Sequence, residues 1–240
     1  MSEWAPKRFW KVTEVVTSGD GYGVTLDGRA VRTPAKALLV LPSRAMAEAV
    51  AAEWEAQAEV VDPRSMPATR GANAAIDKVA VQFDEVAEML IAYGDSDLLC
   101  YRADSPEELV ARQAAAWDPL LDWAAATYGA RLEPRTGIMH EAQSEAALAK
   151  LGAEVHRMTA FELAAFHDLV SLSGSLVIGL AAAQGAWPAE ELWDLSRIDE
   201  SWQEEQWGVD EDAAQTAAIK RESFLNAKRF FDASQSSDAI

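Results

Sequence analysis

The sequence feature that most constrains the fold is a helical spacing of apolar residues, which runs from about residue 78 almost to the end of the chain. Apolar side chains that recur at steps of three and four residues lie on one face of an α-helix. Each such face has to be covered by another element, because exposed apolar surface is unfavourable in water. Residues 78–240 are therefore predicted to form one domain of packed helices.

Capping residues and prolines indicate where several of these helices begin and end. Ser105 as the cap and Pro106 as the first helical residue mark the start of a helix that ends near Gly129, and Pro119 inside it predicts a kink or a break. The longest and most apolar helix is predicted at residues 159–185. Its apolar run is too short for a membrane span and contains serines, so a buried central helix is expected. A last helix is predicted at about residues 211–233.

The first 77 residues have a different pattern, in which short alternating runs are separated by turns. This part predicts four short strands, the last of them at residues 38–41. Asp27 and Gly28 predict a tight hairpin, because both residue types tolerate positive φ. Ser43 is expected to cap a helix. The chain is therefore predicted to be α+β, with a strand-rich α+β domain over residues 1–77 before the helical one.

Residues 188–212, which we call the acidic segment, hold ten carboxylates and one basic residue, Arg197. Their net charge of −9 is half of the chain's formal charge of −18. Pro188 suits the first turn of a helix and Gly208 suits its end, so one helix is predicted between them. Residues at helical spacing give it one apolar face: Leu192, Leu195, Ile198 and Trp202.

Two interpretations of the acidic segment fit this pattern. It can be a solvated helix whose apolar face packs on a core. It can also be an acidic docking surface for a basic partner, edged by Trp193, Trp202 and Trp207.

Charge and cysteine content exclude several classes of partner and site. A formal charge of −18 repels nucleic acid and anionic membranes, so neither is an expected partner. Cys100 is the only cysteine, which excludes a disulfide within the chain and a zinc site built from several cysteines. The first residues, MSEWAPKRFWKV, have neither the apolar run of a secretory leader nor the pattern of a transit peptide.

The sequence has no motif for catalysis by histidine, for a metal or for a cofactor. Its three histidines lie outside any nucleophile or zinc motif. Glu200 and Glu204 share a predicted helix face, which leaves a hydrolase that uses two carboxylates as an alternative. Elsewhere Arg70, Asn73 and Asp77 share a helix face, either as a capped polar surface or as a contact-making cluster.

The acidic segment carries the run Asp199-Glu200-Ser201-Trp202-Gln203, followed by Trp207-Gly208-Val209-Asp210-Glu211. This pattern resembles the signature of the assembly chaperones of the ATP synthase catalytic head, the F(1)-ATPase, that bind the free alpha subunit. Further matches occur in the same order from about residue 8 to 232, among them Arg8-Phe9-Trp10, Leu26-Asp27-Gly28-Arg29, Glu53-Trp54, Met66-Pro67, Thr69-Arg70, Ala72-Asn73, Trp117-Asp118-Pro119-Leu120 and Ser173-Gly174-Ser175. The chain departs from this family at Ala68 and Gly71, where the family usually carries leucines.

The resemblance implies a chaperone that is not an enzyme, with an N-terminal α+β domain and a C-terminal orthogonal helical bundle. It would keep the alpha subunit from aggregating until the beta subunit takes its place. No catalytic residue, metal or cofactor is implied. The implied partner-binding residues are Asp199, Glu200, Trp202, Gln203, Trp207, Gly208, Asp210 and Glu211, with Arg70 and Asn73 as further candidates.

A monomer is expected, located in the bacterial cytoplasm because the sequence carries no leader. The mitochondrial matrix is the expected location if a leader has been removed. Two alternatives to the chaperone remain at this point: the carboxylate-dependent hydrolase and a general acidic scaffold that binds many basic proteins.

Overall fold

The computed structural model describes residues 7–137 and 139–236. Within these ranges the chain forms two compact units. Unit 1 contains residues 7–83, 159–165 and 229–236, and unit 2 contains residues 84–158 and 166–228. Each unit is therefore assembled from separate stretches of the sequence. The predicted domains are contiguous stretches, and their boundary between residues 77 and 78 stays a prediction.

Unit 1 contains a three-stranded antiparallel sheet with the strand order β1-β2-β3. Its strands are Thr13–Ser18 (β1), Gly21–Leu26 (β2) and Arg29–Ala30 (β3). The predicted hairpin between β2 and β3 is confirmed, because φ is 48° at Asp27 and 77° at Gly28. Positive φ at both turn positions gives the turn the twist that an antiparallel pair requires.

The prediction of a fourth strand at residues 38–41 is wrong. Leu38 forms a single bridge with Arg32, and Leu41 forms a single bridge with Tyr22. The two ends of the segment pair with different parts of the sheet, so no continuous ladder develops. Leu39 and Leu41 are buried in the core, which accounts for the alternating pattern of the sequence.

Two helices follow the sheet, Arg44–Glu55 (α1) and Pro67–Ala74 (α2). Ser43 caps α1 as predicted, and its Oγ accepts a hydrogen bond from the first turn at 3.0 Å. The carboxylate of Glu53 in α1 accepts hydrogen bonds from the N–H of Thr69 at 2.8 Å and from its hydroxyl at 2.7 Å. Glu53 therefore satisfies free donors at the start of α2 and ties the two helices together.

The other helices are Phe83–Ile91 (α3), Glu107–Tyr128 (α4), Glu145–Val155 (α5), Ala160–Ser173 (α6), Leu176–Gln184 (α7), Ala189–Leu195 (α8), Ile198–Trp207 (α9) and Glu211–Gln235 (α10). A short parallel ladder in unit 2 joins Tyr101–Arg102 (β4) to Arg135–Thr136 (β5). Trp117, Phe166 and Phe224 are fully buried in unit 2, and each burial contributes roughly 3 kcal/mol. The predicted α+β class is confirmed.

The prediction of one helix over residues 159–185 is wrong, because the chain breaks at Gly174, whose φ is 73°. α6 ends there, and α7 begins after Ser175, whose Oγ accepts a hydrogen bond from the N–H of Ile178 at 3.0 Å. The carboxylate of Asp97 accepts a further one from the N–H of Val177 at 3.1 Å. These two caps stabilise a new helix start. No helix within residues 7–137 and 139–236 is long and apolar enough to cross a membrane.

Two expectations about α4 also require correction. The helix continues through Pro119 to Tyr128, so the predicted break does not occur. Pro106 is the N-cap rather than the first helical residue. The end of the helix is as predicted, at Gly129 in the left-handed region with φ of 64°.

The departure from the family pattern at Gly71 has a packing explanation within unit 1. A Cβ at this position would lie only 3.0 Å from the ring of Phe230. The aromatic ring of Phe230 therefore fills space that a leucine side chain would need. The glycine lets α2 and the last turns of α10 pack closely.

Candidate partner-binding site

The acidic segment forms two helices, α8 and α9, and the prediction of a single helix is wrong. Arg197, between them, has φ of −116° and ψ of 19°, outside the helical region. The hydroxyl of Ser196 donates to the carbonyl of Trp193 at 2.6 Å, which closes the end of α8. Leu192 and Trp193 in α8 are buried, whereas α9 contains no buried residue. The apolar face is therefore shared between a packed helix and a more exposed one.

Helix α4 holds the start of α9 through Gln113 and Trp117. The Nε2 of Gln113 donates to the Oδ1 of Asp199 at 2.6 Å, and its Oε1 accepts from the N–H of Ala103 at 2.8 Å. Gln113 is buried, with 1% of its surface exposed. The Nε1 of Trp117 donates to the carbonyl of Leu195 at 2.8 Å, at the end of α8. Asp199 is thus half-buried and bound to the body of unit 2.

Arg112 holds the middle of α9. It donates two hydrogen bonds to the carboxylate of Glu205, at 2.7 Å and 2.8 Å. Its guanidinium also lies 5.9 Å from the centre of the Trp202 ring. The hydrogen bonds from Arg112 lower the pKa of Glu205 below its ordinary value. Trp202 is half-buried and Glu205 is exposed, so these contacts of Arg112 lie at the surface of unit 2.

Glu200 is paired within the acidic segment itself. Its Oε1 accepts a hydrogen bond from the Nη1 of Arg197 at 2.6 Å, and the two charges form an ion pair. The guanidinium of Arg197 in turn lies 6.0 Å from the centre of the Trp193 ring. Residues 198–205, which we call the held part, therefore have three acids tied to the chain, namely Asp199, Glu200 and Glu205.

The following residues, 207–212, are exposed and we call them the exposed tip. Trp207 has 79% of its surface exposed and Val209 has 64%. Gly208 ends α9 with φ of 92° and ψ of 164°, a conformation open to glycine and strained for other residues. The Oδ1 of Asp210 accepts hydrogen bonds from the N–H groups of Asp212 at 2.9 Å and Ala213 at 3.0 Å, which caps α10. The tip is thus shaped by local hydrogen bonds while its side chains face solvent.

The acidic segment keeps most of its charge unneutralised. Of its ten carboxylates, only those of Glu200 and Glu205 form ion pairs with described residues. The remaining eight give the segment a concentrated negative field, which attracts a cationic protein surface and increases the rate of encounter with it. Within the described ranges, no group of three histidine, cysteine or acidic side chains could hold a metal ion.

The buried carboxylate of unit 2 lies outside the acidic segment, at Asp97. Burial raises the pKa of Asp97 to about 6, and hydrogen bonds from Ser175 and from the backbone N–H groups of Leu99 and Val177 oppose the shift. The same hydrogen bonds place it at the start of α7. The arrangement is that of a structural cap.

The two further predicted residues, Arg70 and Asn73, lie in α2 of unit 1. Arg70 is exposed and Asn73 is half-buried. The Oδ1 of Asn73 is buried without a hydrogen-bond partner among the described residues. Asp77, on the same predicted face, accepts a hydrogen bond from the N–H of Ala35 at 3.0 Å. Within unit 1 this face therefore combines one satisfied acid with one unsatisfied amide oxygen.

Sequence analysis missed the residues of α4 that hold the acidic segment. Arg112 is 93 residues from Glu205, and Gln113 is 86 residues from Asp199. The spacing of Gln113 and Trp117 predicts that both lie on one helix face. No local pattern indicates which distant carboxylate or carbonyl that face meets.

Comparisons with known proteins agree with one another. Residues 7–125 match the model of a family described as ATP12 chaperone protein. The crystal structure of Atp12 from Paracoccus denitrificans is 48% identical, with a TM-score of 0.94, over 97% of this chain and 100% of that one. The Atu1473 protein of Agrobacterium tumefaciens is 43% identical, with a TM-score of 0.92, over 95% of this chain and 86% of that one. The mitochondrial protein atp12 of Schizosaccharomyces pombe is 25% identical over 219 residues, which are 86% of this chain and 75% of that protein.

Proposed function

Because this chain belongs to the ATP12 chaperone family, whose members assist ATP synthase assembly and are not enzymes, we propose that its client is the unassembled alpha subunit. It binds that subunit and prevents its aggregation until the beta subunit replaces it. The chaperone thus acts by occupying an interface, and release follows when the true partner competes for the same surface.

The observation that carries this proposal is the acidic segment, in which eight of ten carboxylates form no ion pair with described residues. A free subunit of a ring exposes the apolar surface that its neighbours will later cover, and such surface aggregates. A strongly acidic protein that covers it keeps the complex in solution, because like-charged complexes repel one another. The same charge speeds the encounter with a client that is cationic at its interface.

The predicted partner-binding residues divide into two roles in this proposal. Gln203, Trp207, Gly208, Asp210 and Glu211 are exposed and contact the client directly. The half-buried residues Asp199, Glu200 and Trp202 are bound to Gln113, Arg197 and Arg112, respectively, and position the exposed ones. The first group should control affinity, and the second should control the geometry of the surface.

Arg70 and Asn73 are proposed as a second, smaller contact on unit 1. The exposed Arg70 can donate to a carboxylate of the client, which complements the acidic segment. The unsatisfied Oδ1 of Asn73 would gain a donor when the client binds.

The net charge of −18 disfavours self-association, which supports a monomer. The bacterial origin of the two similar solved structures supports a bacterial cytoplasmic location, and the mitochondrial relative supports the matrix as the alternative.

The test is the aggregation of purified alpha subunit, followed by light scattering, with this protein at equal molar amount. Suppression should persist at moderate salt and should be reversed when beta subunit is added. Albumin controls for a non-specific protein effect. A second control is the variant with Glu107→Lys and Glu108→Lys, which changes two exposed acids in the first turn of α4 outside the acidic segment.

Suppression that disappears at moderate salt, and that any acidic protein matches, would point to a general acidic scaffold instead. Absence of any suppression would remove the alpha subunit as the client. In both cases the membership of the family would stand, and only the identity of the client would be rejected.

A further inference from the structure

We propose that Trp207 and Val209 form a two-residue apolar anchor at the exposed tip, which inserts into an apolar patch of the client bordered by lysine or arginine side chains. The inference rests on the proposed function and specifies how the acidic segment binds its client. It separates an apolar contact that holds the client from a charged border that attracts it.

The exposure of the two side chains is the first observation. Trp207 is 79% exposed and Val209 is 64% exposed. A tryptophan this exposed leaves most of its large apolar surface in water, and tryptophan is enriched at the energetic centres of protein interfaces. Trp193 and Trp117, in the same unit, are buried and pack in the core. Trp207 therefore has a different role from the structural tryptophans of unit 2.

The backbone between the two side chains is the second observation. Gly208 has φ of 92° and ψ of 164°, and it separates the last residue of α9 from Val209. Asp210 then caps α10, because its Oδ1 accepts hydrogen bonds from the N–H groups of Asp212 and Ala213. The anchor is thus fixed between a helix end and a helix start. A contact that is ordered before binding loses less entropy when the client docks.

Helix α4 also helps to hold the anchor in place. Glu205 lies two residues before Trp207 and accepts two hydrogen bonds from Arg112. The Trp202 ring lies one turn earlier, under the same guanidinium. The last turn of α9 is therefore attached to α4, so Trp207 projects from a supported helix end.

The chemistry of the client follows from the border of the anchor. Asp210, Glu211 and Asp212 form no ion pair with described residues, and no basic residue lies between Arg197 and Lys220 in the sequence. An apolar patch ringed by acids on the client would be repelled, and a neutral patch would leave these charges without partners. A patch bordered by lysine or arginine satisfies both parts of the surface.

Ile219 offers a matched control on the same chain. It is 64% exposed, the same fraction as Val209, and lies in α10 directly before Lys220. It has the exposure of the anchor without its acidic border. Ile219→Ala should therefore leave client binding unchanged, although it removes about as much exposed apolar surface as Val209→Ala does.

The experiment compares the unmodified protein with the Trp207→Ala/Val209→Ala double variant and with Ile219→Ala. Affinity for purified alpha subunit is measured by calorimetry at low and at moderate salt. The double variant should bind about 30-fold more weakly or worse at both salt concentrations, as expected when interface hot spots are lost. Ile219→Ala should bind within about twofold of the unmodified protein. Circular dichroism melts check the fold, and the two single variants replace the double variant if it is unfolded.

A second probe keeps this inference distinguishable from the proposed function. It is a synthetic amphipathic helix with leucine on one face and lysine along its border. If alpha subunit binds the unmodified protein and the double variant equally, the anchor is rejected and the proposed function stands. If alpha subunit binds neither protein, the proposed function fails, and binding of the peptide then tests the anchor. If the unmodified protein binds the peptide and the double variant does not, the anchor is supported for another basic client. If both proteins bind the peptide, or if neither does, the anchor is overturned.

Discussion

The held part and the exposed tip of the acidic segment have the same density of carboxylates and different uses for them. Four of the eight residues in 198–205 are acidic, as are three of the six residues in 207–212. In the held part, three of the four acids are bound by Gln113, Arg197 and Arg112. In the tip, the side chain of Asp210 caps a helix, and no ion pair with a described residue neutralises any of the three acids.

This difference shows that one acidic run can combine carboxylates bound within the protein with carboxylates left in solvent. An acid whose hydrogen bonds are already made contributes little new interaction to a partner, because binding would have to break them first. An acid in solvent can pair with the client without first breaking a hydrogen bond within the chain. Substituting an acid that α4 binds, such as Asp199, should therefore lower stability, whereas substituting an acid of the tip should lower affinity.

The largest expected effect comes from Trp117, through which α4 holds the end of α8 just before the held part. Trp117→Ala should lower the free energy of unfolding by about 3–5 kcal/mol, because a fully buried ring leaves a cavity. The hydrogen bond to Leu195 is lost as well. Urea denaturation measures the change. Trp117→Phe, which keeps most of the apolar volume, should cost clearly less, and an equal loss in both variants would show that the hydrogen bond matters more than the ring.

A direct comparison of the two parts comes next. Asp199→Leu should lower the free energy of unfolding by about 1–3 kcal/mol, because it leaves the buried amide of Gln113 without its acceptor. Glu211→Leu, in the exposed tip, should change it by less than about 0.5 kcal/mol. Asp199→Asn keeps an acceptor oxygen, so its loss in free energy of unfolding should lie between those of Asp199→Leu and Glu211→Leu. Equal losses at Asp199 and Glu211 would contradict the division into a held part and a tip.

A third kind of carboxylate, fully buried, should give stability a pH dependence. The pKa of Asp97 is raised to about 6 by burial, so the folded protein binds this proton more tightly than the unfolded chain. The resulting stabilisation is complete below about pH 4 and is lost as pH rises through 6. Relative to Asp97→Asn, the protein should lose on the order of 1 kcal/mol between pH 5 and 7.5. Denaturant midpoints at both pH values measure this, and a constant difference would contradict it.

A small change in stability is also expected from a variant that should abolish function. Glu200→Lys with Glu211→Lys reverses one acid in each part, and surface ion pairs such as Glu200 with Arg197 contribute less than about 1 kcal/mol. The circular dichroism melt should therefore stay nearly unchanged while protection of the alpha subunit is lost. A large drop in the melting temperature would make these residues structural and would remove them from the proposed site.

The parts of the fold that the sequence predicts correctly depend on neighbouring residues. The turn at Asp27 and Gly28 and the cap at Ser43 need only local chemistry, and both are confirmed. One of the wrong predictions involves a distant residue. The break between α6 and α7 is stabilised by Asp97, which lies 80 residues before Val177. A window of sequence around Gly174 shows a permissive glycine but cannot show that a carboxylate caps the next helix.

The same limit applies to the candidate site. Composition alone identifies the acidic segment, and the apolar spacing identifies the face that packs. The separation into held part and tip depends on Arg112 and Gln113, which lie in another helix. Exposure of Trp207 also could not be predicted, because a tryptophan at a helix end is as compatible with a core as with solvent.

The contact between an early and a late stretch of the chain in unit 1 has a consequence for synthesis on the ribosome. The hydroxyl of Ser43 donates to the carbonyl of Ala233, 190 residues later, and Phe230 and Phe231 belong to the same unit. The sheet and α1 therefore leave the ribosome long before their last packing partners exist. At about 5–20 residues per second, roughly 10–40 s pass before those partners are translated. During that time the nascent chain exposes an incomplete apolar core, which is the same kind of surface that this chaperone is proposed to cover in its client.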